Sequence, residues 1–447
     1  MKMKGRFICF SMFVIMISTA MLLHSQENRF PLKNGDTWVM AGDSITAQHL
    51  HSNYFEAFCH ARFPKLDIRF RNSGVGGDTI TKTIARFERD IGIWSPTIVS
   101  VELGMNDSGA GPDSTSDYIS NMNILVERII KSGARPVLFT SSPVNDGTPG
   151  KSLKGRNFTI DLYSSALGGF SAARKIPFAN QFHTLIDIWA ANKPLEKVVA
   201  FAEEAVNILS LQDLPGRQSI EEWLKTWNES DMNKKSANLG GNPVHPGPVG
   251  QLMMSSVLLK ELGATGFVSS ASVDFSGKIL DTTGCLVSNV KVENGGISFD
   301  RLDESLPMPI PDEGRSALNI FPLIEELSQW ILSIHSMPEG VYDVFIDGIK
   351  TASISSGDLG KGWNMGLLEK GPVADQCRQI LNLVSVKEKL VSDARAKSKA
   401  LFSPGMSVAE VKMLIEDITK KVDEADKEIR AVAKPRIHRF SIVPAQP

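Results

Sequence analysis

The chain has 447 residues, 42% of them hydrophobic and 22% charged, with a formal net charge of −2. That length exceeds one small core and points to two or three domains, and the balance excludes a disordered or fibrous chain. A charge so near zero offers no basic face for nucleic acid, and nothing after residue 25 is apolar for long enough to cross a bilayer.

At the N-terminus, Lys2, Lys4 and Arg6 precede the apolar stretch Phe7–Leu23, and polar "HSQENR" follows. This order predicts a signal peptide over 1–25, cut near Ser25, and therefore a secreted or periplasmic protein with no stable membrane span after cleavage. Beyond the leader only Cys59, Cys285 and Cys377 remain, too few for a disulfide framework, and neither CxxC nor HExxH occurs to suggest zinc.

Short apolar runs then alternate with longer amphipathic ones. Strands are predicted at Thr37–Ala41, Leu66–Phe70, Thr97–Leu103, Pro136–Ser142 and Ile176–Asn180, with helices over 46–62, 115–133 and Val249–Leu262 between and after them. Such alternation implies a three-layer α/β/α sandwich around a five-stranded parallel sheet, and right-handed crossovers favour the order 2-1-3-4-5. Residues 186–235 read as a helical elaboration of this unit, which spans 29–265. From 266 to 365 the pattern alternates apolar and polar residues, with hairpin turns at Asn294-Gly295 and Asp347-Gly348, and predicts a β-rich domain. Within it, Pro307–Glu313 and the "GDLGKGWNMG" run, 357–366, read as loops. Residues 366–447 predict a helical pair, begun in part by the capping box Ser407–Glu410, and "RIHRFSIV" then returns as an edge strand. Charges such as Asp426-Lys427-Glu428 read as its solvated face.

In a sheet of order 2-1-3-4-5, ligands bind where strands 1 and 3 end. Gly42-Asp43-Ser44 follows strand 1, so Ser44 is either an N-cap or a nucleophile whose own N–H faces the crevice. "RNSGVGGDT" follows strand 2 and offers the Gly77 N–H as a donor, while "ELGMNDSG" follows strand 3 and offers the Asn106 amide. His245 in "GNPVHPGPVG" lies between prolines just before a helix, a setting suited to a general base. His183, after strand 5, is not excluded by position.

These four blocks, in this order, resemble the SGNH/GDSL hydrolase family, a likeness that covers roughly residues 30–265. The resemblance implies a flavodoxin-like fold and a metal-free serine esterase or acylhydrolase with no cofactor. It further implies nucleophile Ser44, base His245, and oxyanion donors from Ser44, Gly77 and Asn106. One position departs from the pattern: where the family carries an aspartate three residues before the histidine, this chain has Asn242. Asn242 can orient the imidazole but cannot stabilise its cation, and Asp107 and Asp231 are candidate replacement carboxylates. The expected function is deacylation, chiefly deacetylation, of a small-molecule or polysaccharide ester. The alternatives are a non-catalytic glycan-binding surface protein and an O-acyltransferase.

Overall fold

The computed structural model describes residues 30–192, 196–212, 216–229, 239–403 and 405–445; the expected leader and Asp231 lie outside them. Five strands, β1 (Thr37–Gly42), β2 (Arg69–Gly74), β3 (Ile98–Glu102), β4 (Arg135–Phe139) and β5 (Phe178–Ala179), form one sheet of order β2-β1-β3-β4-β5. Every pairing in it is parallel, as the alternation of runs predicts. Both faces are buried, which explains the near-continuous apolar strands. Along β1, Trp38 and Met40 enter one core and Val39 and Ala41 the other.

The first core is closed by α1 (His51–Arg62) and, later in the chain, by the helix Pro248–Glu261. The second is closed by α2 (Ile80–Ala85), α3 (Thr115–Lys131) and α4 (Gly155–Arg174). After β5 come α5 (Gln181–Asn192), α6 (Glu196–Gln212) and α7 (Arg217–Glu229), and then α8, the Pro248–Glu261 helix. The helix expected over 46–62 is interrupted: a 3-10 turn covers Thr46–Gln48, and His49 adopts left-handed φ of 58° before α1 begins. The α8 helix was expected to be amphipathic, yet Val249–Leu259 is buried throughout. Its outer side is covered by the Pro311–Leu327 segment, from which Ala317, Phe321, Ile324 and Leu327 join the same core.

Strand β2 begins and ends later than its apolar residues suggest, because polar Arg71 and Asn72 lie within it and are buried. Their partners come from the far end of the chain. The long helix α9 (Pro372–Leu401) supplies Glu388, whose Oε2 accepts from the Asn72 N–H at 3.0 Å. Two further helices follow, α10 (Val408–Leu414), entered through the Ser407–Glu410 capping box, and α11 (Glu416–Val432). Arg71 donates to both oxygens of Asp426 on α11, at 3.3 and 2.7 Å. Asp426 is thus fully buried and not part of a solvated face. Lys387 on α9 is equally buried and reaches Glu56 of α1 at 2.7 Å.

The β-rich part consists of two sheets. One has the order β13-β10-β6-β7 and the other β12-β11-β14-β9-β8. The strands are β6 (Phe267–Asp274), β7 (Ile279–Thr283), β8 (Cys285–Glu293), β9 (Gly296–Asp303), β10 (Gln329–His335), β11 (Val341–Ile346), β12 (Ile349–Ser355), β13 (Trp363–Asn364) and β14 (Ile437–Pro444). Asn294-Gly295 and Asp347-Gly348 make two-residue hairpins with positive φ at all four residues. The terminal strand β14 is central, not an edge: it pairs with β9 and β11, burying Phe440 and Ile442. Hence the last residues complete the sheet begun near 285. The run 357–366, expected to be a loop, contains all but the first residue of a short helix, Ser356–Lys361, and β13. Cys59, Cys285 and Cys377 are buried and free. No helix among the described residues is long and apolar enough to cross a membrane.

Removing one partner of a buried ion pair leaves an uncompensated charge, typically costing about 3–5 kcal/mol, whereas an exposed partner is worth about 1 kcal/mol or less. Asp426→Ala is therefore expected to lower unfolding free energy by about 3 kcal/mol in urea titration. Asp423→Ala, whose carboxylate meets Arg71 at 3.3 Å from an exposed position, should change it by under about 1 kcal/mol.

Candidate active site

The segment after β1 turns sharply because Gly42 has no side chain: a Cβ there would overlap the Thr46 side chain. Asp43 then points inward and accepts from the Ile45 N–H at 2.9 Å. This leaves the intervening Ser44 at the partly exposed rim. Burial pushes the Asp43 carboxyl up to about 7, despite the Ile45 N–H, and the neighbouring Glu102 adds to the rise.

The loop carrying His245 is built as a tight reversal before α8. Gly241 bridges to Pro246, the Asn242 N–H donates to the His245 carbonyl at 3.1 Å, and the Gly247 N–H donates to the Leu239 carbonyl at 2.8 Å. Gly240 and Gly241 take φ of 69° and 67°, which glycine adopts without the Cβ penalty. From below, Gln251 of α8 donates to the Pro246 carbonyl at 2.9 Å. The same glutamine accepts from the His51 N–H at 3.0 Å, and His51 pairs with Glu102 at 2.9 Å. Burial works against a charge on His51, but Glu102 and Gln251 hold its pKa above the ordinary value.

These two loops bring Ser44 and His245 together: the Ser44 hydroxyl lies 2.7 Å from His245 Nε2. Asn242 Oδ1 is 3.2 Å from the other ring nitrogen, Nδ1. The orientation of that amide follows from the backbone. Oδ1 also accepts from the Val244 N–H at 3.0 Å and the His245 N–H at 2.9 Å, where an NH₂ group would set donor against donor. With oxygen facing the ring, Nδ1 carries the proton and Nε2 is left to accept from Ser44. Asp107, a candidate replacement carboxylate, instead accepts from the Ile80 N–H at 3.1 Å. His183 lies against Asp161 at 2.6 Å, away from this arrangement.

The loops after β2 and β3 close on the same end of the sheet. The Val75 N–H donates to the Gly42 carbonyl at 3.0 Å, and the Asn106 amide donates to the Asp78 carbonyl at 2.9 Å, with Asp43 Oδ2 at 3.5 Å. Gly77 forms the exposed tip of this turn with φ of 73°. Sequence reasoning missed the residue that ties the loops together, Asn72. Its amide donates to the Thr46 carbonyl at 2.7 Å and to Ser52 at 2.8 Å, and its oxygen accepts from Gly74 at 2.8 Å. The only signal was its place two residues before the glycine of "RNSGVGG". No group of three or more His, Cys, Asp or Glu side chains able to hold a metal occurs among the described residues.

A Cβ at Gly241 would overlap the His245 carbonyl, so the loop must shift to admit one. Gly241→Ala is therefore expected to cost at least about 1–2 kcal/mol of stability from left-handed strain alone. It should also weaken the Ser44–His245 hydrogen bond, seen as a changed His245 imidazole resonance in NMR spectra.

Residues 40–198 match the model of the GDSL-like Lipase/Acylhydrolase family. Among solved structures, a gut microbial diltiazem-metabolizing enzyme is similar over 93% of this chain and 99% of its own, at 22% identity and a TM-score of 0.71, which shows a shared fold. Axe2, an acetylxylan esterase from Geobacillus stearothermophilus, aligns with 52% of this chain and 95% of its own, at 19% identity and a TM-score of 0.37. No curated protein matches the chain. Residues 40–198, with the parallel sheet that carries them, are thus similar to the GDSL-like lipase/acylhydrolase family.

Proposed function

We propose that the protein is an exported serine hydrolase that removes acyl groups, chiefly acetyl, from carbohydrate or other small polar esters. The observation that carries the catalytic part is the 2.7 Å approach of the Ser44 hydroxyl to His245 Nε2, with the ring tautomer held by Asn242. In the first step Ser44 Oγ attacks the ester carbonyl carbon and its proton passes to Nε2. The carbonyl oxygen takes the negative charge, facing the N–H groups of Ser44 and Gly77 and the Asn106 amide. Collapse of this intermediate breaks the bond to the alcohol, which leaves with the proton from His245. Water then attacks the acyl-serine, giving its proton to the same nitrogen, and the acid departs as Ser44 is restored.

Asn242 serves this cycle as a neutral acceptor. It holds the imidazole in the working tautomer, yet brings no charge to stabilise the imidazolium that forms in each step. Export is supported by the charged, apolar, polar order of residues 1–25. A carbohydrate substrate is supported by that location and by the β-rich part joined to the α/β unit.

A fluorophosphonate probe should label the wild type and leave Ser44→Ala unlabelled; absence of labelling together with absence of hydrolysis of 4-nitrophenyl acetate would falsify the reading. Asn106→Ala should lower kcat far more than it raises KM, by about 10²–10³, the usual loss for one oxyanion donor. An opposite charge near a histidine shifts its pKa by about 1–3 units. Asn242→Asp should therefore raise kcat roughly ten- to thousandfold, because the tautomer is already correct and only the charge is gained. An unchanged or lower rate in that variant would show that the asparagine is not the limiting group.

A further inference from the structure

Where the chain passes from the Ser44 turn into α1 lies a cavity of about 250 Å³ whose walls come from three distant parts of the chain. The first wall is His49 and the first turn of α1, with Asn53 and Tyr54, five to ten residues past Ser44. The second is the turn Pro311–Glu313. Gly314, which follows it, packs on α8, the helix that the His245 loop leads into: a Cβ added there would meet the Pro248 carbonyl at 3.3 Å and Leu252 at 3.3 Å. The third is one face of α9, bearing Arg378, Asn382 and Ser385. The second and third walls lie outside the segment matched by the family, 40–198.

We propose that this cavity is a subsite for a neutral sugar ring of the oligosaccharide that bears the ester. The inference rests on the hydrolase reading above and names the alcohol portion of its substrate. Size agrees: at about 30 Å³ per water, the cavity holds the equivalent of roughly eight waters, the scale of one hexose or pentose ring. Chemistry agrees as well. Sugar hydroxyls both donate and accept, and the walls present both kinds of partner. Asp312 and Glu313 accept, Asn382 and Ser385 do either, and the leucines Leu50 and Leu381 with the Tyr54 ring offer apolar surface to C–H faces. Asn53 is buried, and its Oδ1 has no partner among the described residues.

The charges argue against an acidic sugar. Arg378 is already engaged by the Glu369 carbonyl at 2.8 Å and by the Asp375 carboxylate, and it stands 3.9 Å from Asp312. His49 donates or accepts at Ser392, 2.8 Å away, and burial with the nearby Arg395 lowers its pKa to about 4, so it is neutral at pH 7. Two carboxylates against one engaged guanidinium leave the cavity net negative.

The test compares wild type with the double variant Asp312→Ala/Asn382→Ala, both exposed positions whose loss leaves the core intact. On acetylated xylotriose the variant should show a KM at least tenfold higher with kcat little changed, while 4-nitrophenyl acetate, too small to fill the cavity, is cleaved as by wild type. Calorimetric titration with deacetylated xylotriose, mannotriose and trigalacturonate provides a readout independent of turnover. Binding of either neutral trisaccharide, lost in the variant and weaker or absent for trigalacturonate, supports the subsite even if neither ester is cleaved, an outcome that sinks only the hydrolase reading. Equal loss on both esters, no loss on either, or no binding of any neutral trisaccharide to wild type overturns it.

Discussion

A single hydrogen bond joins residues 201 positions apart, from the Ser44 hydroxyl to the His245 ring, and the loops on either side hold its two ends. The serine end is held by sterics: Gly42 lets the chain turn at the tip of β1, and Asp43, inward and bonded to Ile45, sets the direction of the next side chain. The histidine end is held by a loop with little freedom of its own, closed by Gly240, Gly241 and two prolines and supported from α8 by Gln251. Both ends reach the same interior pair, His51 and Glu102, through Gln251 on one side and through the field of Glu102 on Asp43 on the other.

On the proposed mechanism, the asparagine at position 242 relies on backbone geometry for an orientation that a carboxylate would have by symmetry. Replacing a carboxylate by an amide at such a site usually fails because the amide can present NH₂ to the ring and force the wrong tautomer. Two main-chain N–H groups at 2.9 and 3.0 Å exclude that orientation here. In the proposed cycle, what the amide does not supply is the electrostatic stabilisation of the imidazolium.

The C-terminal helices belong to the α/β unit as much as to the β-rich part. Glu388 holds Asn72, which in turn holds the Thr46 carbonyl and the Gly74 N–H, so a residue of α9 stands two hydrogen bonds from the turn that carries Ser44. Lys387 and Glu388 are adjacent and buried against Glu56, and burial raises the Glu388 carboxyl to about 7 even with the lysine beside it. Such groups are costly to bury and more costly to separate, which ties the helix to one register against β2. The final strand, β14, then returns to the centre of the second β-sheet and fastens the chain's end to residues 297–302.

From the sequence alone, the parallel sheet, its strand order, both hairpins, the Ser407 cap and the four loops at the sheet's end were all legible. Each depends on local period, on backbone sterics at Gly and Asn, or on the topology that right-handed crossovers permit. Only the tertiary structure decided where polar side chains belonged. Arg71 and Asn72 read as a loop because their partners, Asp426 and Glu388, lie 355 and 316 residues away. Asp426 read as solvated for the same reason, and β14 as an edge because nothing near it in the chain names β9 and β11 as neighbours. The direction of the Asn242 amide was likewise undetermined until the fold of the loop placed two N–H donors against its oxygen, since hydrogen bonds are set by positions in space that one-dimensional order does not encode.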